Sequence, residues 1–175
     1  MDALARSRNN PLWQSAAFAL TKRMKISKKA EYALRALVAL GRKPLGTTWL
    51  IEDISGAERI PVKFLEQILL ELRRADILRS RRGVGGGYQL NRQPNEISLG
   101  EILRIIDGTF EPISCTPGDP ERFGRQKCEC GIAGGCGLGK VFCDLQRKVA
   151  DFLMHTTIAD VLAREVKPGE VSFDI

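Results

Sequence analysis

After Ser27, apolar positions at Leu34, Leu37, Val38 and Gly41 fall near helical spacing and predict a first helix over residues 31–40 with one apolar face. Residues 41–48 hold Pro44 and Gly46 and read as a turn. Thr48 is the expected cap of a short second helix through Ser55, with Gly56 supplying the tight turn after it. Pro61 suits the start of a third helix, because the first helical turn leaves its missing amide unneeded. In that helix Phe64, Leu65, Ile68, Leu69 and Leu72 line one face, and Lys63, Glu66, Gln67, Glu71 and Arg74 fall mainly on the others. Residues 77–80 and 88–90 are short strand candidates around a glycine-rich reversal. Ser98 caps a helix over residues 99–107 that Gly108 stops. Over residues 138–154, Leu138, Val141, Phe142, Leu145, Val149, Phe152 and Leu153 recur at heptad-like spacing, the pattern of a helix that pairs with another helix.

Two short helices around a turn, followed by a hairpin, predict a mainly α fold with a small β wing: a winged helix-turn-helix DNA-binding domain plus a long dimerisation helix. The expected division is a winged helix-turn-helix domain over residues 24–97, a short helix and cysteine-rich loop over 98–136, and a dimerisation helix with a C-terminal segment over 137–175. Residues 1–23 have an apolar patch broken by Gln14 and Ser15 and no clean cleavage site, so they read as a disordered extension rather than a targeting segment. With 175 residues the chain supports one core plus an arm, not a large enzyme. No stretch approaches the roughly 20 apolar residues that cross a bilayer, so no membrane partner is expected.

Charge sharpens this picture. Residues 24–92 carry 14 Lys and Arg against 7 acids, whereas residues 93–175 carry 9 against 13. A basic first half suits contact with a polyanion, and an acidic second half suits contact with protein. The hairpin Arg79-Ser-Arg-Arg-Gly-Val-Gly-Gly-Gly-Tyr88 is cationic, and its glycines let the backbone reverse close to a phosphate or a narrow minor groove. Gln67 can pair with adenine, Glu66 can accept from cytosine, and Arg82, beside Arg81, can enter a minor groove.

All five cysteines lie between Cys115 and Cys143, and Cys130-Gly-Ile-Ala-Gly-Gly-Cys136 sets two of them in a glycine-rich loop. Clustered thiolates without a secretion signal point to a reducing compartment, the cytoplasm by default, and to metal or iron-sulfur chemistry. Soft thiolates on a pliable backbone are what an iron-sulfur cluster requires. Cys143, between Phe142 and Leu145, reads instead as a small buried residue. An enzyme is the weakest reading. There is one histidine, His155, no Ser-His or Cys-His constellation, and residues 83–87 lack the lysine and following helix of a phosphate loop.

Four segments together resemble the IscR/NsrR superfamily of bacterial winged-helix transcription regulators. They are Met24-Lys-Ile-Ser-Lys-Lys-Ala-Glu-Tyr-Ala-Leu-Arg-Ala-Leu37, Ile60-Pro-Val-Lys-Phe-Leu-Glu-Gln67, Arg82-Gly-Val-Gly-Gly-Gly-Tyr88 and the cysteine loop, within a likeness that runs from Met24 to about Ala163. The resemblance implies a homodimer on a palindromic operator in double-stranded DNA, with base and groove contacts from Lys63, Glu66, Gln67 and the wing arginine Arg82. It also implies an iron-sulfur cluster on three cysteines. Cys130 and Cys136 reproduce the spacing of the last two, and the first is Cys115 or, given the longer intervening segment, Cys128. The family's histidine three residues beyond the last cysteine falls here on Gly139. Glu31 stands where some relatives carry an acidic ligand that reaches the partner chain's cluster, although it can equally pair with Lys28 or Arg35. Three thiolates and a distant carboxylate favour [2Fe-2S] over [4Fe-4S]. A regulator with structural zinc, or one that senses through thiols or a protein partner without a cluster, is the alternative.

Overall fold

A computed structural model describes residues 26–83, 85–112 and 136–165. Six α-helices and one two-stranded sheet follow one another in these residues: α1 (Lys28–Gly41), α2 (Ile51–Glu58), α3 (Val62–Arg74), β1 (Leu78–Arg81), β2 (Gly87–Leu90), a 3-10 turn (Pro94–Glu96), α4 (Leu99–Ile106), α5 (Gly137–His155) and α6 (Ile158–Ala163).

Helix α1 is the hub and packs against α2, α3, α4 and α6. Ala30, Ala33, Ala36 and Ala39 are fully buried along with Leu37, and their small side chains let four neighbours approach one helix. The helix is thus buried over more of its circumference than its leucines alone predict. Ser27 caps it by accepting from the Ala30 amide at 3.0 Å.

The second helix departs from expectation at both ends. Thr48 does not cap it, because the segment before it is bridged to β2 through Trp49. The Trp49 amide donates to the Tyr88 carbonyl at 2.9 Å, and the Tyr88 amide returns a bond to Trp49 at 2.8 Å. The Thr48 hydroxyl donates to the Gly85 carbonyl at 3.2 Å. Helix α2 therefore starts after Leu50, runs through Gly56 and ends only at Arg59, whose φ of 52° is left-handed. Ser55 closes this turn: its hydroxyl donates to the Ile60 carbonyl at 2.6 Å, and its own carbonyl accepts the Ile60 amide at 3.1 Å.

Pro61 stands one position outside α3, as its N-cap, and its carbonyl accepts from Phe64 and Leu65 at 3.0 Å. Leu65, Ile68, Leu69 and Leu72 are fully buried, as their spacing predicts. Phe64 is not: it is 38% exposed and meets the Tyr32 ring edge-on, 5.7 Å between centroids. The wing strands are antiparallel, with Leu78 opposite Leu90 and Arg81 opposite Gly87.

The far end of α5 is bonded to the start of α4. The Leu99 amide donates to the Thr156 carbonyl at 2.8 Å and the Ile158 amide to the Ile97 carbonyl at 2.9 Å. Helix α6, unanticipated from the sequence, turns back over α1 behind a capping box of Thr157 and Asp160. The Thr157 hydroxyl and amide lower the Asp160 carboxyl below its ordinary 3.8, and Arg42 lowers Glu165 below its ordinary 4.5. Depressed carboxyls add stability above their unfolded values and lose it as pH falls through the folded ones. The amide resonances of α6 should therefore hold steady from neutral pH to about pH 5 and shift together below about pH 4 in an NMR titration.

Candidate nucleic-acid interface and cysteine site

Lys63, Glu66 and Gln67 are all exposed. Their i, i+3, i+4 spacing puts them on one face of α3, opposite the buried leucines. Three contacts hold that face in place. Lys29 on α1 pairs with Glu71 at 2.7 Å. Arg73 donates to the Ser80 hydroxyl at 3.1 Å and so joins the end of α3 to β1. Arg35 donates to the Glu58 carboxylate at 3.3 Å and to its backbone carbonyl, one residue before the left-handed Arg59. A charged residue 3.3 Å from its partner but 23 positions away in sequence has no periodic signature, so nothing in the pattern could reveal this last support.

Arg81 and Arg82 are exposed at the wing. The glycine run beside them does two separate jobs. Gly83 and Gly85 have φ of 93° and 73° in open space, where they shape the reversal. Gly86 and Gly87 are crowded: a Cβ on Gly86 would stand 2.5 Å from the Arg81 carbonyl oxygen, and one on Gly87 2.1 Å from that of Trp49. Lys43 lies over the Trp49 ring, 5.3 Å from its centroid.

Of the expected cluster ligands, Cys115, Cys128 and Cys130 lie outside the described residues. Cys136 is free, half-buried and the N-cap of α5, with no side chain capping that helix. Glu31 pairs with Lys28 at 2.7 Å and faces Arg35 at 3.8 Å, the helical-spacing partners that the sequence also allows. Among the described residues no three His, Cys, Asp or Glu side chains gather as a metal site. Cys143 is 2% exposed, and burial pushes its thiol up, away from thiolate. Gly139 is buried, and His155 is exposed with its Nδ1 2.8 Å from the Asp151 carbonyl. No helix among the described residues is long and apolar enough to cross a membrane.

Along α5, Leu138, Val141, Leu145 and Phe152 are exposed at 62%, 64%, 38% and 57%, whereas Gly139, Cys143 and Gln146 on the other side are buried. The helix thus covers one face against its own protomer and leaves four of the seven heptad-like positions open, with Phe142, Val149 and Leu153 half-buried between the two faces.

The profile of the family described as "Rrf2: Iron-dependent Transcriptional regulator" matches residues 26–164. The chain belongs to the Rrf2 family. A helix-turn-helix-type transcriptional regulator of Mycobacterium tuberculosis is 47% identical over 139 residues, which are 79% of this chain and 81% of the relative. The regulator IscR of Photobacterium profundum is 27% identical over 149 residues, 85% of this chain and 81% of that one. The solved structure of CymR, the global cysteine regulator of B. subtilis, superposes with a TM-score of 0.67 at 24% identity, covering 82% of this chain and all of CymR, a likeness of fold. This Rrf2 protein is a winged-helix transcriptional regulator, not an enzyme, and its family binds DNA.

Proposed function

We propose that this Rrf2 regulator binds a palindromic operator as a homodimer and reports iron, redox state or nitric oxide through an iron-sulfur cluster, with [2Fe-2S] favoured. The observation that carries the sensing half is the position of Cys136. It stands at the N-cap position of a 19-residue helix whose other end is bonded to the segment that leads from the wing into α4. No side chain caps the first turn of α5, so the Cys136 sulfur stands beside backbone amides that are not already taken up by a cap, a position that suits a soft metal ligand. Cys136, Cys130 and either Cys115 or Cys128 would hold the group, with Glu31 of the partner subunit as the harder and more labile fourth donor. When bound, such a group supplies a one-electron couple and an exchangeable iron site. The chain's own residues do the rest. A displacement at Cys136 travels along the rigid α5 to Thr156, and the Leu99 and Ile158 amide bonds pass it to α4, which packs on α1 and α3. The coupling needed is modest: about 1–3 kcal/mol changes operator affinity roughly 5- to 150-fold.

The reading half rests on Lys63, Glu66 and Gln67 beside Arg81 and Arg82. On an operator selected from a random-sequence pool, Gln67→Ala should cost about 1–3 kcal/mol and relax the preference at one base position. Arg82→Ala should instead weaken binding evenly across sequences and make the salt dependence shallower, the mark of a backbone or groove contact. Competitive binding to the selected pool distinguishes the two.

The sensing half is tested by purifying the full chain without oxygen and measuring visible absorption with iron, sulfide and zinc. A brown protein with matched iron and sulfide, bleached in Cys136→Ala, is the expected result. A colourless protein with stoichiometric zinc would make the loop structural, and one with neither would move sensing to thiols or a protein partner.

A further inference from the structure

Helices α4 and α5 meet around one sulfur. Gly100 approaches α5 so closely that a methyl on it would lie 2.7 Å from Met154 Sδ and 2.9 Å from the Met154 backbone nitrogen. The Ser98 hydroxyl donates to the same sulfur at 3.8 Å. Yet Met154 is 46% exposed and forms one wall of an open cleft of about 350 Å³, shared with Ser98, Glu101, Arg104 and Thr157. A thioether wedged in a helix joint would ordinarily be sealed; this one faces an open cleft lined mainly by polar side chains. At 3.6 residues per turn, Met154 points about 160° around α5 from Leu138, away from the exposed apolar stripe. A second copy seated on the stripe would leave the cleft open.

We propose that Met154 is an oxidation site, a latch whose conversion to the sulfoxide by a peroxide loosens the joint between α4 and α5. The sulfur lone pair attacks one oxygen of hydrogen peroxide and the O–O bond breaks. The proton on the transferred oxygen leaves with the departing hydroxide as water. Sulfur is oxidised by two electrons and the peroxide is reduced. The added oxygen turns an apolar, adaptable side chain into a polar, chiral one, and Gly100 leaves no space for it in the joint. It fits only on the cleft side, where Ser98 and Arg104 offer donors, and reaching them draws the side chain off Gly100. The bonds flanking the sulfur, Leu99 to Thr156 and Ile158 to Ile97, are the ones that open. Sulfoxide reductases reverse the change, so the latch is resettable.

The full chain, treated with hydrogen peroxide and then with dithiothreitol to restore its thiols, tests this by peptide mass and amide hydrogen exchange. Three methionines are present, so Met24 serves as the internal reference. Met154 should gain one oxygen at a rate within about tenfold of Met24, and the Leu99 and Ile158 amides should then exchange at least about tenfold faster until a sulfoxide reductase restores them. Met154→Leu, which keeps the volume, should hold slow exchange through the same treatment, and untreated Met154→Gln should show the fast exchange. A slower oxidation of Met154, unchanged exchange after its complete oxidation, or loosening that persists in Met154→Leu would overturn the proposal. Metal-free protein gives the same readout, so the result stands apart from the cluster.

Discussion

Replacing Val141 and Leu145 together with glutamate should turn the regulator into a folded monomer with at least a hundredfold weaker hold on a palindromic operator. Both side chains are on the exposed stripe of α5, and neither belongs to the buried face formed by Gly139, Cys143 and Gln146. Glutamate is a good helix former, so the substitution leaves the protomer's own packing and helicity in place. What it does to a second copy is different. Two helices meeting along the stripe would have to bury four carboxylates, at several kcal/mol without partners. Separated protomers lose the effective concentration that a dimer gives the second half-site, which is worth about 10² to 10⁴ in affinity. Light scattering should show the mass halved, circular dichroism should show helical content kept, and competition with a single half-site should show the intrinsic affinity of one reader unchanged. A double variant that stays dimeric would move the interface off this stripe.

The stripe was legible because heptad spacing is a property of one element. So were α1, α3 and α4, where Ser27 and Ser98 sit at N-caps and the apolar face of α3 lies in the core. What stayed hidden depends on contacts distant in sequence. Thr48 has the chemistry of a cap, and only the bridge between Trp49 and Tyr88 diverts it to the edge of the wing. Gly56 has the chemistry of a turn, but the turn fell on Arg59, where Ser55, Ile60 and Arg35 on another helix fix a left-handed residue. Phe64 fits an apolar face by periodicity, yet the neighbour in reach is the half-buried Tyr32 at the edge of the core. For the site, exposure of Lys63, Glu66, Gln67, Arg81 and Arg82 follows from the helical and hairpin patterns. The supports beneath them, Arg35, Lys29 and Arg73, carry no local signal. The glycine run could be read as flexible, whereas half of it is packed.

That packed half makes the second large effect. Gly87→Ala should destabilise the protein by about 2–4 kcal/mol, enough to lower Tm by roughly 5–15 °C, and should weaken operator binding along with it. The new Cβ would stand 2.1 Å from the Trp49 carbonyl oxygen and 2.6 Å from its carbon, both backbone atoms with no rotamer to change. Relief requires moving the 48–49 segment off β2, which breaks both Trp49–Tyr88 bonds, at about 1 kcal/mol each. The φ of 138° adds strain of its own for any residue with a side chain. Because Gly87 is paired with Arg81, the wing arginines lose their fixed position as the ladder opens. Gly85→Ala is the control. Its φ of 73° costs about 1–2 kcal/mol for an alanine, but nothing lies within 4 Å of the added carbon. Thermal unfolding of the two variants therefore separates close approach from conformational preference. If Gly87→Ala were no less stable than Gly85→Ala, the bridge formed by Trp49 would not be what demands glycine, and the wing would owe its shape to the reversal alone.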